Sequence, residues 1–222
     1  MGALLSGLSQ EDGSVRYRVI VGLADMARRS PNLRADRNAV EAAIVSEVSR
    51  YYRRFLIFFA LFGDDDHGSM SSDSLLRQAL LENMKREKER VLRLLSLIYS
   101  PKDVGSATAA LLSADRAKQA QAIEFLDNVL TGDIKDHVFP LFDDVLDAER
   151  FQKFLTFFGL KSLDGETALQ ELLKQDDLWL SAAALWEIGL RGLQTFRRQL
   201  EQYLDSTEPV LKETAALVIS RI

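Results

Sequence analysis

The chain has 222 residues, 47% of them hydrophobic, with four prolines and no cysteine. That apolar content can bury a substantial core and excludes disorder, while the lack of cysteine excludes disulfides, thiolate zinc sites and cysteine nucleophiles, and fits a reducing compartment. The formal net charge of −5 is uneven: residues 1–100 hold 15 Lys/Arg against 13 Asp/Glu and the remainder 13 against 20, which argues against a general phosphate-binding surface.

Few prolines and abundant Ala, Leu, Glu, Lys and Arg predict an all-α fold. The opening "MGALLS" has no basic region ahead of a long apolar stretch, so it does not read as a secretory signal. It matches the loose myristoylation pattern through Gly2 and Ser6, although a start codon explains it more simply. It also reads as the last turns of a helix already under way, which implies a fragment of a larger protein. A turn at Asp12 then leads into an amphipathic helix.

Two long helices follow, near 36–62 and 73–99, joined by "GDDDHGSMSSDS" and expected to pack on each other. The first ends in the apolar run Phe55 to Phe62, far short of the roughly 20 apolar residues that span a bilayer. It reads as a buried helix end. A membrane-interface anchor is the alternative, with Arg50, Arg53 and Arg54 beside Tyr51, Tyr52 and Phe55. Full exposure of Phe58, Phe59 and Phe62 together would favour a membrane-embedded neighbour. The acidic turn fails as an EF-hand, because a loop starting at Asp64 puts Ser69 and Leu75 where Gly and Glu are required. His67 is far in sequence from His137, so no metal site is expected. In the second helix, Glu82–Arg86 and Glu89–Arg93 have the i,i+4 order of a solvated face. Val91, Leu92, Leu94, Leu95, Leu97, Ile98 and Tyr99 predict a nearly fully buried end.

Four segments align without gaps: "LSQEDGSVRYRVIVGL" from Leu8, "LLSADRAKQAQAIEFL" from Leu111, "LKQDDLWLSAAALWEI" from Leu173 and "LDSTEPVLKETAALVI" from Leu204. Each carries an acid four residues after its leucine (Asp12, Asp115, Asp177, Glu208), placed to cap the helix that follows. Within that helix the apolar columns are Val15, Leu180 and Leu211; Val19, Ala122, Ala184 and Ala215; Ile20, Ile123, Leu185 and Ala216; and Leu23, Leu126, Ile188 and Ile219. The spacing i, i+4, i+5, i+8 puts them on one buried face, and the recurring alanine lets neighbouring helices approach. Lys118 interrupts the first column, requiring a looser repeat or a snorkelling lysine stem. The last two segments lie 31 residues apart and the middle two 62, which predicts a degenerate unit between; "DAERFQKFLTFFGL" supplies it with Phe154, Leu155 and Phe158. Repeated hairpins of this length predict an α-solenoid of about five hairpins, forming a single domain over 1–222 with one longer hairpin in its N-terminal half.

The sequence contains no Gly-rich phosphate loop, no G-x-S-x-G and no H-E-x-x-H. Asp143/Asp144 and Asp176/Asp177 fall at predicted turns where capping explains them. No catalytic, metal or cofactor-binding residue is assigned. The outward positions of the second helices give a mixed stripe, from which Arg18, Asp25, Gln121, Glu124, Asn128, Lys153, Trp186 and Arg221 are expected to form an interaction surface. Trp186 has a common hot-spot composition around it, and packing against an adjacent helix would explain it equally.

The turns "D-x-x-L" and the spacing of Asp12, Val15 and Arg16 resemble HEAT repeats. "ERVLRLLSLIYSPKDVGSATAALLS" followed by "QAIEFLDNVLTGDIK" is similar to the HEAT-repeat segment beside the membrane module of bacterial nucleotide-transporter-like (ADP/ATP carrier-like) proteins, which often carry a cyclic-nucleotide-binding-like domain. The likeness covers residues 12–131 best. It implies a non-catalytic, armadillo-like cytoplasmic scaffold, at the inner face of the membrane within a larger protein, whose partners are proteins or adjacent domains. A second expectation, from another class, is a HEAT-like DNA-binding enzyme of the alkylpurine DNA glycosylase type, using Trp179, Trp186, Asp176 and Asp177. Electrostatics ranks it lower, because DNA enclosure needs a basic concave stripe.

Overall fold

A computed structural model describes residues 6–10, 13–30, 35–63, 74–99, 101–111, 113, 115–142, 153, 155–175 and 177–222. The regular structure among them is helical throughout, with no strand, as the composition predicts. The helices are α1 (Gly13–Arg29), α2 (Arg37–Phe62), α3 (Leu75–Ile98), α4 (Pro101–Leu111), α5 (Arg116–Val129), α6 (Gly132–Val138), α7 (Gly165–Leu173), α8 (Leu178–Leu190), α9 (Arg197–Gln202) and α10 (Pro209–Ile219). None is long and apolar enough to cross a membrane. The chain divides into two compact units: Met1–Arg53 with Met84–Lys161, and Arg54–Asn83 with Ser162–Ile222.

The long hairpin forms as expected. Neither α2 nor α3 contains Gly or Pro, so nothing interrupts their hydrogen-bond ladders over 26 and 24 residues. Their starts are capped: the Asp36 carboxylate accepts from the amides of Asn38 and Ala39 at 2.9 and 3.2 Å, and the Ser74 hydroxyl accepts from the Arg77 amide at 3.2 Å. The connecting "DDDHG", with His67, lies outside the described residues, as do Asp12, Asp143, Asp144, Phe154 and Asp176.

In the first unit the core runs along Ile20 and Leu23 of α1, Val40, Ile44, Val48 and Tyr52 of α2, and Val91, Leu92, Leu94 and Leu95 of α3, all buried. Leu97, Ile98 and Tyr99 are only half-buried, so the sealed part of α3 ends a turn earlier than its composition suggests. α4 packs on α5. Asp115 caps α5 through the amides of Ala117 and Lys118, while Ala122 and Leu126 face inward. Lys118 does not snorkel. Its side chain is exposed and pairs with Asp115 at 3.3 Å. Val15, expected on the buried face, is exposed, because α1 turns Arg16, Ile20 and Leu23 inward instead. Of the degenerate unit, Leu155 is buried and Phe158 stacks on Tyr52 with ring centroids 5.8 Å apart.

In the second unit, Ile57, Leu61 and Phe62 of α2 and Leu76 and Leu80 of α3 share one core with α7, α8, α9 and α10. Phe62 is buried and Phe58 half-buried, whereas Phe59 is 56% exposed. The joint exposure that would favour a membrane-embedded neighbour is therefore absent, and the run reads as a largely buried helix end. Asp177 caps α8 through the Leu180 amide, and Ala184, Leu185 and Ile188 are buried. The end of α8 is closed by Gly192 at φ 63, with the Leu193 amide donating to the Ile188 carbonyl and the Gly192 amide to the Gly189 carbonyl. This left-handed closure suits glycine, which has no Cβ to clash. Glu208 precedes α10 but makes no side-chain cap bond, its extra methylene carrying the carboxylate past the amides that Asp reaches. Ala215 and Val218 face inward, and Ala216, placed by its column on the buried face, is exposed. α10 touches its neighbours mainly along the 215/218 line, so one position around the helix is already in solvent.

Candidate functional site

The eight residues expected to form an interaction surface divide between the units. In the first, Arg18 is exposed on α1, and Asp25, half-buried, accepts from Arg28 at 2.7 Å. Gln121, Glu124 and Asn128 are exposed along one face of α5, where the Asn128 side-chain amide donates to the Glu124 carbonyl at 2.9 Å. Lys153 is exposed as well. These residues are polar, and Phe157, four residues after Lys153, is 59% exposed.

In the second unit Trp186 and Arg221 come together. The Arg221 guanidinium carbon lies 4.5 Å from the indole centroid, close enough for a cation–π contact. Trp186 is half-buried, so packing against the adjacent helix and exposure to solvent both apply to it. One turn beyond Trp186, Leu190 is 47% exposed, and one turn before Arg221, Leu217 is 45% exposed. Two helices thus present Trp186 and Leu190 on one side of a seam and Leu217 and Arg221 on the other.

No protein-family model, curated protein or solved structure matches the chain.

Two buried polar centres escaped the sequence reading. In the first unit the Glu47 carboxylate, 2% exposed, accepts from Arg16 Nε and Arg90 Nε, each at 2.6 Å. Arg16 also donates to the Gln10 carbonyl at 2.7 Å, and Arg90 lies 3.8 Å from Glu87. Burial alone would raise the Glu47 carboxyl; attraction to Arg90 and Arg16, with their hydrogen bonds, overcomes it and holds the group below its ordinary value. Burial, and then the Glu87 charge, pushes the neighbouring Tyr51 hydroxyl up to about 12, and burial raises Tyr52 further. In the second unit Glu187 accepts from the Ser74 hydroxyl and from Arg191 Nε, both at 2.8 Å, while Arg191 donates to the Leu61 carbonyl at 3.0 Å. That clasp satisfies an orphan carbonyl at the end of α2 and holds the start of α3 against α8.

The sequence carried a signal for both centres. Glu47 falls in the stripe Val40, Ile44, Glu47, Tyr51, and Glu187 follows buried Leu180 and Ala184 at the same i, i+4, i+7 spacing. A charge at a core position of an apolar stripe predicts a buried partner.

A cleft of about 550 Å³ in the second unit is lined by Asp164, Glu166, Thr167, Gln170, Arg191 and Leu193, among others. Its groups are engaged structurally: Asp164 caps α7 through the Thr167 amide at 2.8 Å, Glu166 accepts from Thr195 at 3.2 Å, and Arg191 belongs to the clasp. Asp177, assigned a role in the DNA-enzyme expectation, spends its carboxylate on the α8 cap. Trp179 is 71% exposed. Among the described residues no three His, Asp or Glu side chains gather as a metal would require. His137, buried on α6, bonds the Asp133 carbonyl and packs against Phe157 and Phe158.

Proposed function

We propose that the chain is a non-catalytic scaffold of HEAT-like hairpins, stacked as an α-solenoid, that binds a protein or an adjacent domain. The fold part of the reading is supported by the recurrence, at the aligned positions, of a capping aspartate and a buried alanine in α5 and α8, with Ala215 buried in α10. The observation that carries the function is the half-buried Trp186 flanked by exposed Leu190 and Leu217. Aromatic and aliphatic side chains left at a helix seam, amid polar neighbours, have the composition of an interface anchor. The sequence likeness to segments beside bacterial transporter-like membrane modules supports a cytoplasmic setting, coupling such a module to a regulatory domain.

Co-purification with the tagged intact protein tests the reading. A discrete protein should be retained by the wild type and by Glu201→Ala, and lost from Trp186→Ala and Leu217→Glu. Equal recovery from all four would contradict it. So would a salt-dependent shift of DNA at near-physiological ionic strength, which would restore the DNA-enzyme reading.

A further inference from the structure

We propose that the α8/α10 seam binds a peptide segment that presents a carboxylate beside a large apolar side chain. The proposal rests on the scaffold reading and specifies its partner. At the seam the two helices meet closely: a Cβ added at Gly189 would fall 2.9 Å from Val218 Cγ2. Trp186 and Leu190 lie one turn apart on one helix, Leu217 and Arg221 one turn apart on or just beyond the other, and the Trp186–Arg221 contact joins the two pairs across the seam.

The charge on the patch identifies the occupant. The Arg221 guanidinium lies over the Trp186 ring, and no carboxylate pairs with it among the described residues. A cation–π contact uses none of the guanidinium N–H donors as hydrogen bonds to an oxygen, and a carboxylate is the group that meets such donors with charge-assisted, often paired, hydrogen bonds. Because the indole already holds the ion, less side-chain entropy is lost when the bonds form. Leu190 and Leu217 give an apolar neighbour somewhere to sit. A polyanion fits poorly, since residues 162–222 hold 6 Lys/Arg against 10 Asp/Glu and would repel an extended run of phosphates. One cation among apolar side chains suits one carboxylate among apolar side chains.

The test is selection of random 12-residue phage-displayed peptides on the intact protein, followed by fluorescence anisotropy with fluorescein-labelled synthetic copies of those enriched. Enriched sequences should place Asp or Glu within a few positions of Leu, Phe or Trp. Their Kd should rise about tenfold or more for Arg221→Ala, as loss of a charge-assisted fork requires. Leu217→Glu should weaken binding similarly, and Arg221→Lys should restore only part of it. Circular dichroism identical to wild type establishes that each variant is folded. Peptides that lose binding to Leu217→Glu but bind Arg221→Ala unchanged would overturn the acidic-segment proposal and leave the scaffold reading standing. A selection yielding no peptide sensitive to either variant would overturn the proposal and remove the observation on which the scaffold reading rests.

Discussion

Glu47 is the side chain whose chemistry most constrains the first unit. Two guanidiniums share its carboxylate, so neutralising it leaves two buried cations without their common partner. Glu47→Gln should cost about 3–5 kcal/mol in urea unfolding. The pH dependence follows from the directions of the shifts. The Glu47 carboxyl is held below its ordinary value of 4.5, so its stabilisation is complete above that pH and lost as pH falls below it toward the folded value. The Tyr51 hydroxyl is raised from 10.0 to about 12, so its contribution is complete below pH 10 and disappears as pH rises through 12. Thermal melts across both ranges should show an acid loss that Glu47→Gln lacks and an alkaline loss that Tyr51→Phe reduces.

Among the elements, helix starts and helix contacts set the next predictions. Asp177→Ala removes the cap of α8 and should cost about 1 kcal/mol, while Glu208→Ser, supplying a cap that α10 lacks, should gain about 0.5–1 kcal/mol. Both are read from the shift in chemical-denaturation midpoint. Gly189→Ala drives a methyl against Val218 and should cost about 1–3 kcal/mol, with Val218→Ala in the same chain relieving the clash. The helices themselves were legible in the sequence: α2 and α3 fall within two residues of the predicted spans, because apolar periodicity and the absence of Gly and Pro act locally. Glu208 and Val15 were not. A side chain's reach to an amide and the rotation of a helix about its axis depend on neighbours that local spacing does not specify.

Across the whole chain, the 31-residue recurrence placed the buried alanines Ala122, Ala184 and Ala215 correctly, because core positions repeat with the unit. It missed the partners of Glu47 and Glu187, which come from segments 31 and 43 residues away in one case and 113 in the other. Pairing at such distances is set by tertiary packing. Of the candidate site, spacing made Trp186 and Arg221 legible as outward positions, and they meet; Leu190 and Leu217, one turn from each along the helices, are exposed. The central claim is that this patch is where the protein binds another polypeptide. Photocrosslinking tests it most directly, with benzoylphenylalanine placed at Leu217 in the intact protein in cells and, as a control, at the exposed Lys174 of the same unit. A discrete adduct from position 217 that is absent from position 174 and suppressed by Arg221→Ala is the predicted result. Equal labelling from both positions, or none from 217, would contradict it.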